Sequence, residues 1–250
     1  MAHHPLLLLA VAGAGFVAGA LNAVAGSGSL LTFPTLLALG YSPLTANVSN
    51  TVGLVAGNIS GAVGYRRELA GMRRQALTLA SCSLLGGLGG AVLLLALPRQ
   101  VFKVVVPALI LLSVVLLLLQ PRLARRRASG PPSAHGRLVL RGAMFATGVY
   151  GGYFGAAQGV MFMAVMGVFL EESLQRLTGL KNVLASTANG AAAVIFIAYA
   201  PIAWEPAVVI AGSSLLGGQL GAGFGRRLPA PVLRAIIVLG GLAAVVKLLA

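Results

Sequence analysis

Apolar residues run along this chain in blocks too long and too continuous for one face of a soluble helix. Blocks near 6–25, 76–97, 102–120, 182–200, 207–225 and 232–249 are each long enough to cross roughly 30 Å of hydrocarbon as a helix. Between them lie shorter or interrupted apolar segments near 28–40, 48–65, 138–154 and 157–170. In chain order this gives five segments in each half, and the halves repeat. Ser83-Leu84-Leu85-Gly86-Gly87 returns as Ser214-Leu215-Leu216-Gly217-Gly218, at a sequence offset of 131. At that offset Gly28 meets Gly159, Asn58 meets Asn189, Gly90 meets Gly221, Pro98 meets Pro229 and Val101 meets Val232, with no insertion between the first and last pair. The pattern predicts an all-α polytopic membrane protein made of two inverted-topology repeats of about 125–131 residues. The first transmembrane repeat covers 1–120, a basic cytoplasmic linker 121–136, and the second, inverted repeat 137–250.

Segments 28–40 and 157–170 are the exceptions. Thirteen or fourteen residues give only about 20 Å of helix, so they read as broken or re-entrant short helices. A Gly-rich stretch precedes each: Gly26-Ser27-Gly28-Ser29 in one half, and Gly151-Gly152-Tyr153-Phe154-Gly155 with Gln158-Gly159 in the other. Irregular backbone at membrane depth survives only where it lines a cavity or is buried in protein.

Charge adds orientation. With the linker and its Arg125-Arg126-Arg127 placed inside, alternation of the segments also puts inside Arg66, Arg67, Arg73, Arg74, Arg176, Lys181, Arg226, Arg227 and Arg234. Fifteen of the eighteen Lys and Arg residues then lie inside, and only Arg99, Lys103 and Lys247 outside. This bias predicts a multi-pass protein of the cell membrane with both termini outside. It makes the first repeat run out-to-in and the second in-to-out, an argument for inversion independent of the repeat itself.

Composition agrees and excludes other classes. The chain is 58% apolar and 9% charged, against about 25% charged in ordinary soluble domains. A net charge of +14 does not mark a nucleic-acid binder, because the Arg residues sit in short clusters between apolar spans. Ala23-Val24-Ala25 resembles a signal-peptide cleavage site, but no Lys or Arg precedes the apolar run, which reads as the first membrane helix. Cys82 is alone, and His3, His4 and His135 lack metal-ligand spacing, so neither a disulfide within the chain nor a metal or cofactor is expected. The chain contains no Asp, which removes a Ser-His-Asp triad, and no Walker A motif. Gly13-Ala14-Gly15-Phe16-Val17-Ala18 fits a loose dinucleotide fingerprint but lies inside a span without a preceding strand. No enzyme is predicted.

What remains is a polar set within apolar segments. A half-helix N-terminus offers backbone N–H groups and a positive dipole end to an anion. Ser27 and Ser29 add hydroxyls at one break beside Gly28, and Gln158 adds an amide at the other beside Gly159. Asn22, Asn50, Asn58, Asn182 and Asn189 stand inside or at the edges of apolar helices, where an unpaired amide costs on the order of 2–7 kcal/mol. Lys181 is the cation beside these amides, placed either to attract an anion or to obey the inside-positive rule. The blander alternatives are glycines that merely pack, as the ladder Gly53, Gly57 and Gly61 does, and Asn residues that glue helices together. Matching interruptions in both halves favour a substrate site built from this set.

Asn22-Ala23-Val24-Ala25-Gly26-Ser27-Gly28-Ser29-Leu30-Leu31-Thr32-Phe33-Pro34 resembles the first-half signature of the TauE/SafE family of sulfite and organosulfonate exporters. The second half is similar too, in Gly148-Val149-Tyr150-Gly151-Gly152-Tyr153-Phe154-Gly155, in Lys181-Asn182-Val183-Leu184, and in Ser214 to Gly221 followed by Gly225-Arg226-Arg227-Leu228-Pro229. The resemblance covers essentially the whole chain. It implies a membrane anion permease with a small sulfur-containing anion, such as sulfite, sulfoacetate or a related sulfonate, as substrate. Some relatives carry an acidic residue where Asn22 and Gly151 stand here, so proton coupling at those positions does not carry over. Glu68, Glu171, Glu172 and Glu205 all fall at loops or span edges, which leaves alternating access by a uniporter as the simplest mechanism. Membrane potential favours efflux, at about 2.3 kcal/mol per charge per 100 mV. A channel and a non-transporting scaffold subunit are the competing readings, and pairing as a homodimer stays open. Expected partners are the small anion and the lipid bilayer, with no nucleic acid.

Overall fold

A computed structural model of the protein describes residues 5–123 and 133–224, with Val238. The described residues form helices α1 (Pro5–Val24), α2 (Ser29–Ala38), α3 (Pro43–Gly64), α4 (Arg73–Ala96), α5 (Arg99–Leu123), α6 (Ala134–Tyr153), α7 (Gln158–Phe169), α8 (Leu174–Tyr199) and α9 (Trp204–Phe224), with no strand among them. The chain is an all-α polytopic membrane protein. The expected segment 232–249 and most of the linker 121–136 lie outside the described residues.

Helix ends reflect local chemistry that apolar runs hide. Ser42 and Ser173 stand at the repeat offset of 131, and each caps a helix: Ser42 Oγ accepts from Thr45 N at 3.2 Å, and Ser173 Oγ accepts from Arg176 N at 3.3 Å. These caps start α3 at Pro43 and α8 at Leu174, well before the apolar segments 48–65 and 182–200 begin. The polar first turns are helical, so Lys181 and Asn182 lie within α8 rather than at its edge. Lys181 is therefore no loop charge but a buried side chain within α8.

Four helices are long and apolar enough to cross a membrane, namely α1, α4, α8 and residues Gln100–Leu119 of α5. Segment 207–225, expected as a fifth, forms the 21-residue helix α9 but is not among these four. Its outward residues, including Val208 and Leu216, are nonetheless exposed and apolar. So are Leu77, Leu85 and Val92 on α4, and Val104 and Leu118 on α5. An apolar outer surface of this extent suits hydrocarbon and not water.

The repeat is visible in the helices, with one correction. Pro43 and Leu174 begin equivalent helices, as do Arg73 and Trp204, both at an offset of 131. The ends of α1 and α6 (Val24 and Tyr153) and the starts of α2 and α7 (Ser29 and Gln158) are 129 apart. Helix α7, at 12 residues against 10 for α2, absorbs the difference, so an insertion does exist. Gly26 thereby pairs with Gly155, and both have left-handed backbone, φ +74° and +78°. Gly28 pairs with Ala157, not with Gly159.

Packing exchanges partners between repeats: α1 lies against α9, and α6 lies against α4. Glycines let these backbones touch. A methyl on Gly19 would sit 2.2 Å from Ser214 O, and the equivalent methyl on Gly148 would sit 2.5 Å from Ser83 O. Likewise a methyl on Gly217 would meet Phe16 O at 1.9 Å, and one on Gly86 would meet Phe145 O at 2.2 Å. Such small-residue contact is how helices associate where apolar burial provides no drive. Ser83 Oγ donates to Leu184 O at 2.9 Å and its mate Ser214 Oγ to Gly53 O at 3.3 Å, so α4 and α9 also bridge to the opposite repeat.

Candidate functional site at the crossing of two broken helices

The breaks meet. Residues 25–28 join α1 to α2, residues 154–157 join α6 to α7, and Gly159 N donates to Gly26 O at 3.2 Å between them. A methyl on Gly159 would lie 2.4 Å from Gly26 Cα, so this contact is backbone on backbone. Helices of 10 and 12 residues extend only about 15–18 Å, roughly half the hydrocarbon thickness. Phe33 of α2 stacks edge-on against Phe154 of the other break at 5.4 Å between ring centroids, and Phe102 of α5 packs on Tyr153 at 5.7 Å. The aromatic wall ties the two breaks together on one flank.

Lys181 is the centre of the polar set. It is the only charged side chain in the buried class among the described residues, with no exposed surface. From α8 its Nζ donates to Asn22 O and, at 3.1 Å, to Ala23 O. These carbonyls belong to the last turn of α1, where an ammonium meets the negative end of the helix dipole. An ammonium has three donors, and two are accounted for. Asn182, its neighbour, donates from Nδ2 to Ala23 O at 3.0 Å, leaving its buried Oδ1 without a partner.

The remaining predicted residues divide into tied and untied groups. Asn22 Oδ1 accepts from Gly28 N at 2.6 Å, and Asn50 Oδ1 accepts from the hydroxyl of Thr32. Gln158 Nε2 donates to Thr147 O at 3.4 Å. These three amides brace the breaks. Ser27 Oγ, Asn58 Nδ2 and Asn189 Oδ1 are buried with no hydrogen-bond partner among the described residues. Ser29 is buried at the first turn of α2. Unsatisfied buried polar atoms are uncommon in a folded protein.

One expectation changes. The N–H groups of Gly28 and Gly159 are not free for a ligand: the first is bound by Asn22 and the second by Gly26 O. Both glycines are also close-approach positions, since a methyl on Gly28 would lie 2.3 Å from Ala18 O.

Three contributors lie outside the expected set of site residues. Asn47 falls between two apolar segments, yet it is buried in α3 and donates from Nδ2 to Tyr153 O at 3.0 Å. Tyr150 OH and Ser113 Oγ are hydrogen-bonded to each other at 2.7 Å, and both lie within hydrogen-bonding distance of Ala156 O of the second break, at 2.7 and 3.0 Å. An amide five positions past the Ser42 cap is a signal that could have found Asn47. Ser113, a lone hydroxyl in an apolar run, gives no such signal. Ala157 adds backbone strain at the same place, with φ +55° in a non-glycine residue.

Sequence comparison decides the family, because the family model for sulfite exporter TauE/SafE matches residues 11–248. The chain belongs to the TauE/SafE family. It is similar to a probable membrane transporter protein, YfcA, of Escherichia coli strain K12, 31% identical over 229 residues that cover 90% of this chain and 81% of that protein. A probable membrane transporter protein, ORF9, of a Sinorhizobium species is 25% identical over 254 residues, covering 100% of this chain and 94% of the relative. A Haemophilus influenzae protein described in the same terms is 29% identical over 212 residues, 83% of this chain and 81% of the relative. No solved structure matches the chain significantly. As a TauE/SafE protein it is a membrane transporter.

Proposed function

We propose that this protein exports small sulfur-containing anions, such as sulfite, sulfoacetate or related sulfonates, by alternating access, holding the anion at the crossing of the two breaks. The observation that carries the reading is Lys181: a fully buried cation with one ammonium donor to spare, in a bundle that also buries the unpartnered Ser27 hydroxyl and Asn58 amide. Burying an ammonium without a carboxylate partner is costly unless something compensates its charge. An anion does so, and a tetrahedral or pyramidal oxyanion can accept from a lysine, a hydroxyl and an amide together. The two repeats supply the alternation, each contributing a short helix that starts at the crossing. Charge bias supports both termini outside, and a negative interior potential favours efflux of the anion.

The test is counterflow in proteoliposomes. Purified protein should show saturable efflux of labelled sulfoacetate or sulfite, accelerated when unlabelled substrate is present on the far side. Trans-acceleration is expected of a carrier and not of a channel. Lys181→Met should reduce flux at least a hundredfold, since one charge at about 4 Å with an effective dielectric near 20 is worth about 4 kcal/mol. Absence of flux for every sulfur oxyanion and sulfonate tried would overturn the substrate assignment. Flux that Lys181→Met leaves unchanged would overturn the site.

A further inference from the structure

We infer that the C-terminal end of α6 binds a monovalent metal cation, in the place where the opposite repeat carries a tethered ammonium. In the first repeat, the end of α1 is neutralised from within: Lys181 of α8 places its Nζ on Asn22 O and Ala23 O. Inversion makes the end of α6 the counterpart of that helix end, and Asn50, which precedes Lys181 by the repeat offset of 131, is the counterpart of the lysine. Asn50 carries no charge, and its Oδ1 is taken by the Thr32 hydroxyl of α2. The negative end of α6 thus has no built-in cation among the described residues.

Oxygen atoms without partners gather there instead. Asn47 reaches the last residue of α6 through its Nδ2, bonded to Tyr153 O, which fixes the amide orientation and leaves Oδ1 as a buried acceptor with no donor. Asn189 Oδ1, also buried and without a partner, lies 3.9 Å from where a methyl on Gly155 would stand, two residues past Tyr153. Tyr153 O and Gly151 O belong to the same helix end, and Gly151 O is 3.0 Å from that methyl position. Neutral amide and backbone oxygens at a helix C-terminus are the ligand class of Na⁺ and K⁺. Divalent ions are disfavoured, because Ca²⁺ and Mg²⁺ sites draw on carboxylates and no acidic residue lies in α3, α6 or α8. A cation here adds a second positive charge at the end of α6, which suits a dianion better than the lysine alone.

The inference concerns the α6 end and does not depend on which anion is carried, so it is tested without substrate. Binding of ²²Na⁺ to purified protein, with Li⁺, K⁺ and N-methylglucamine as competitors at constant ionic strength, should be saturable at one ion per chain. N-methylglucamine should fail to compete. Asn189→Ala should weaken affinity at least tenfold, and Asn189→Asp, which keeps an oxygen and adds charge, should retain or tighten it. If Asn189→Ala does not fold, the Asp variant and the wild-type isotherm still decide. No saturable binding of Na⁺ or K⁺ to wild type, or binding that neither variant alters, would overturn the inference.

Discussion

Replacing Gly159 by alanine is the most direct probe of the crossing. The added methyl would stand 2.4 Å from Gly26 Cα, 3.0 Å from Lys181 Cδ and 3.1 Å from Gly26 O. Carbon atoms settle about 3.5–4.0 Å apart, so the two breaks must separate by roughly 1 Å or more. The 3.2 Å bond from Gly159 N to Gly26 O would then exceed hydrogen-bonding range. Overpacking of a tight core costs about 1–3 kcal/mol, and the lost bond about 1 kcal/mol more. A total near 2–4 kcal/mol should lower the melting temperature by about 5–15 °C for a chain of this size. The displaced Lys181 stem should also slow transport. Gly190→Ala is the matched control: it lies in α8, and its methyl would meet nothing within 4 Å. Helix propensity there should raise stability by up to about 1 kcal/mol. The assay is paired melting and counterflow on both variants in detergent and in liposomes. If Gly159→Ala melts and transports like Gly190→Ala, the two breaks do not touch.

Inversion predicts that equivalent positions face opposite sides. Single cysteines at Ala70 and Pro201, equivalent at the offset of 131, in a Cys82→Ser background, should react with an impermeant thiol reagent from inside and outside respectively, and labelling from one side would remove the inversion. Arg176 holds the segment between α3 and α4, donating to Glu68 O at 3.1 Å and Ala70 O at 2.8 Å while pairing with Glu172 at 2.8 Å. Its side chain is 36% exposed, so Arg176→Ala should cost only about 1–2 kcal/mol. It should, however, speed trypsin cleavage after Arg66 and Arg67, and Arg176→Lys should rescue this poorly because an ammonium lacks the planar fork. Unchanged cleavage in Arg176→Ala would show that the segment is held by other contacts.

The helical class, the repeat and the two breaks are legible in the sequence because each leaves a local trace: apolar length, a recurring pentapeptide, a cluster of glycines. Helix starts are less legible. Lys181 and Asn182 follow a polar turn that an apolar window discards, and only the Ser173 cap reveals that α8 already includes them. The insertion in α7 is hidden because strong matches such as Asn58 with Asn189 fall after it, at an offset the preceding helix does not share. The partners of Lys181 cannot be read at all. They are backbone carbonyls 159 and 158 residues away, and a carbonyl is identical in every residue. The roles of Gly28 and Gly159 invert for a related reason: free space and backbone contact demand the same residue type.

The exchange of partners between repeats bears on how the chain is made. During synthesis α1 emerges first, but the helix that fits its glycine-rich face, α9, is the last of the described helices to follow. Until then Gly15 and Gly19 have only lipid or the insertion machinery to lie against. The first repeat likewise presents α4 with Gly86 and Gly90 exposed until α6 arrives to cover them. Each half therefore completes its glycine seams only with the other, and a ribosome that stalls within the linker leaves a fragment with two unclosed seams. Two separately encoded halves, by contrast, carry complementary seams and should assemble with each other when made in the same cell.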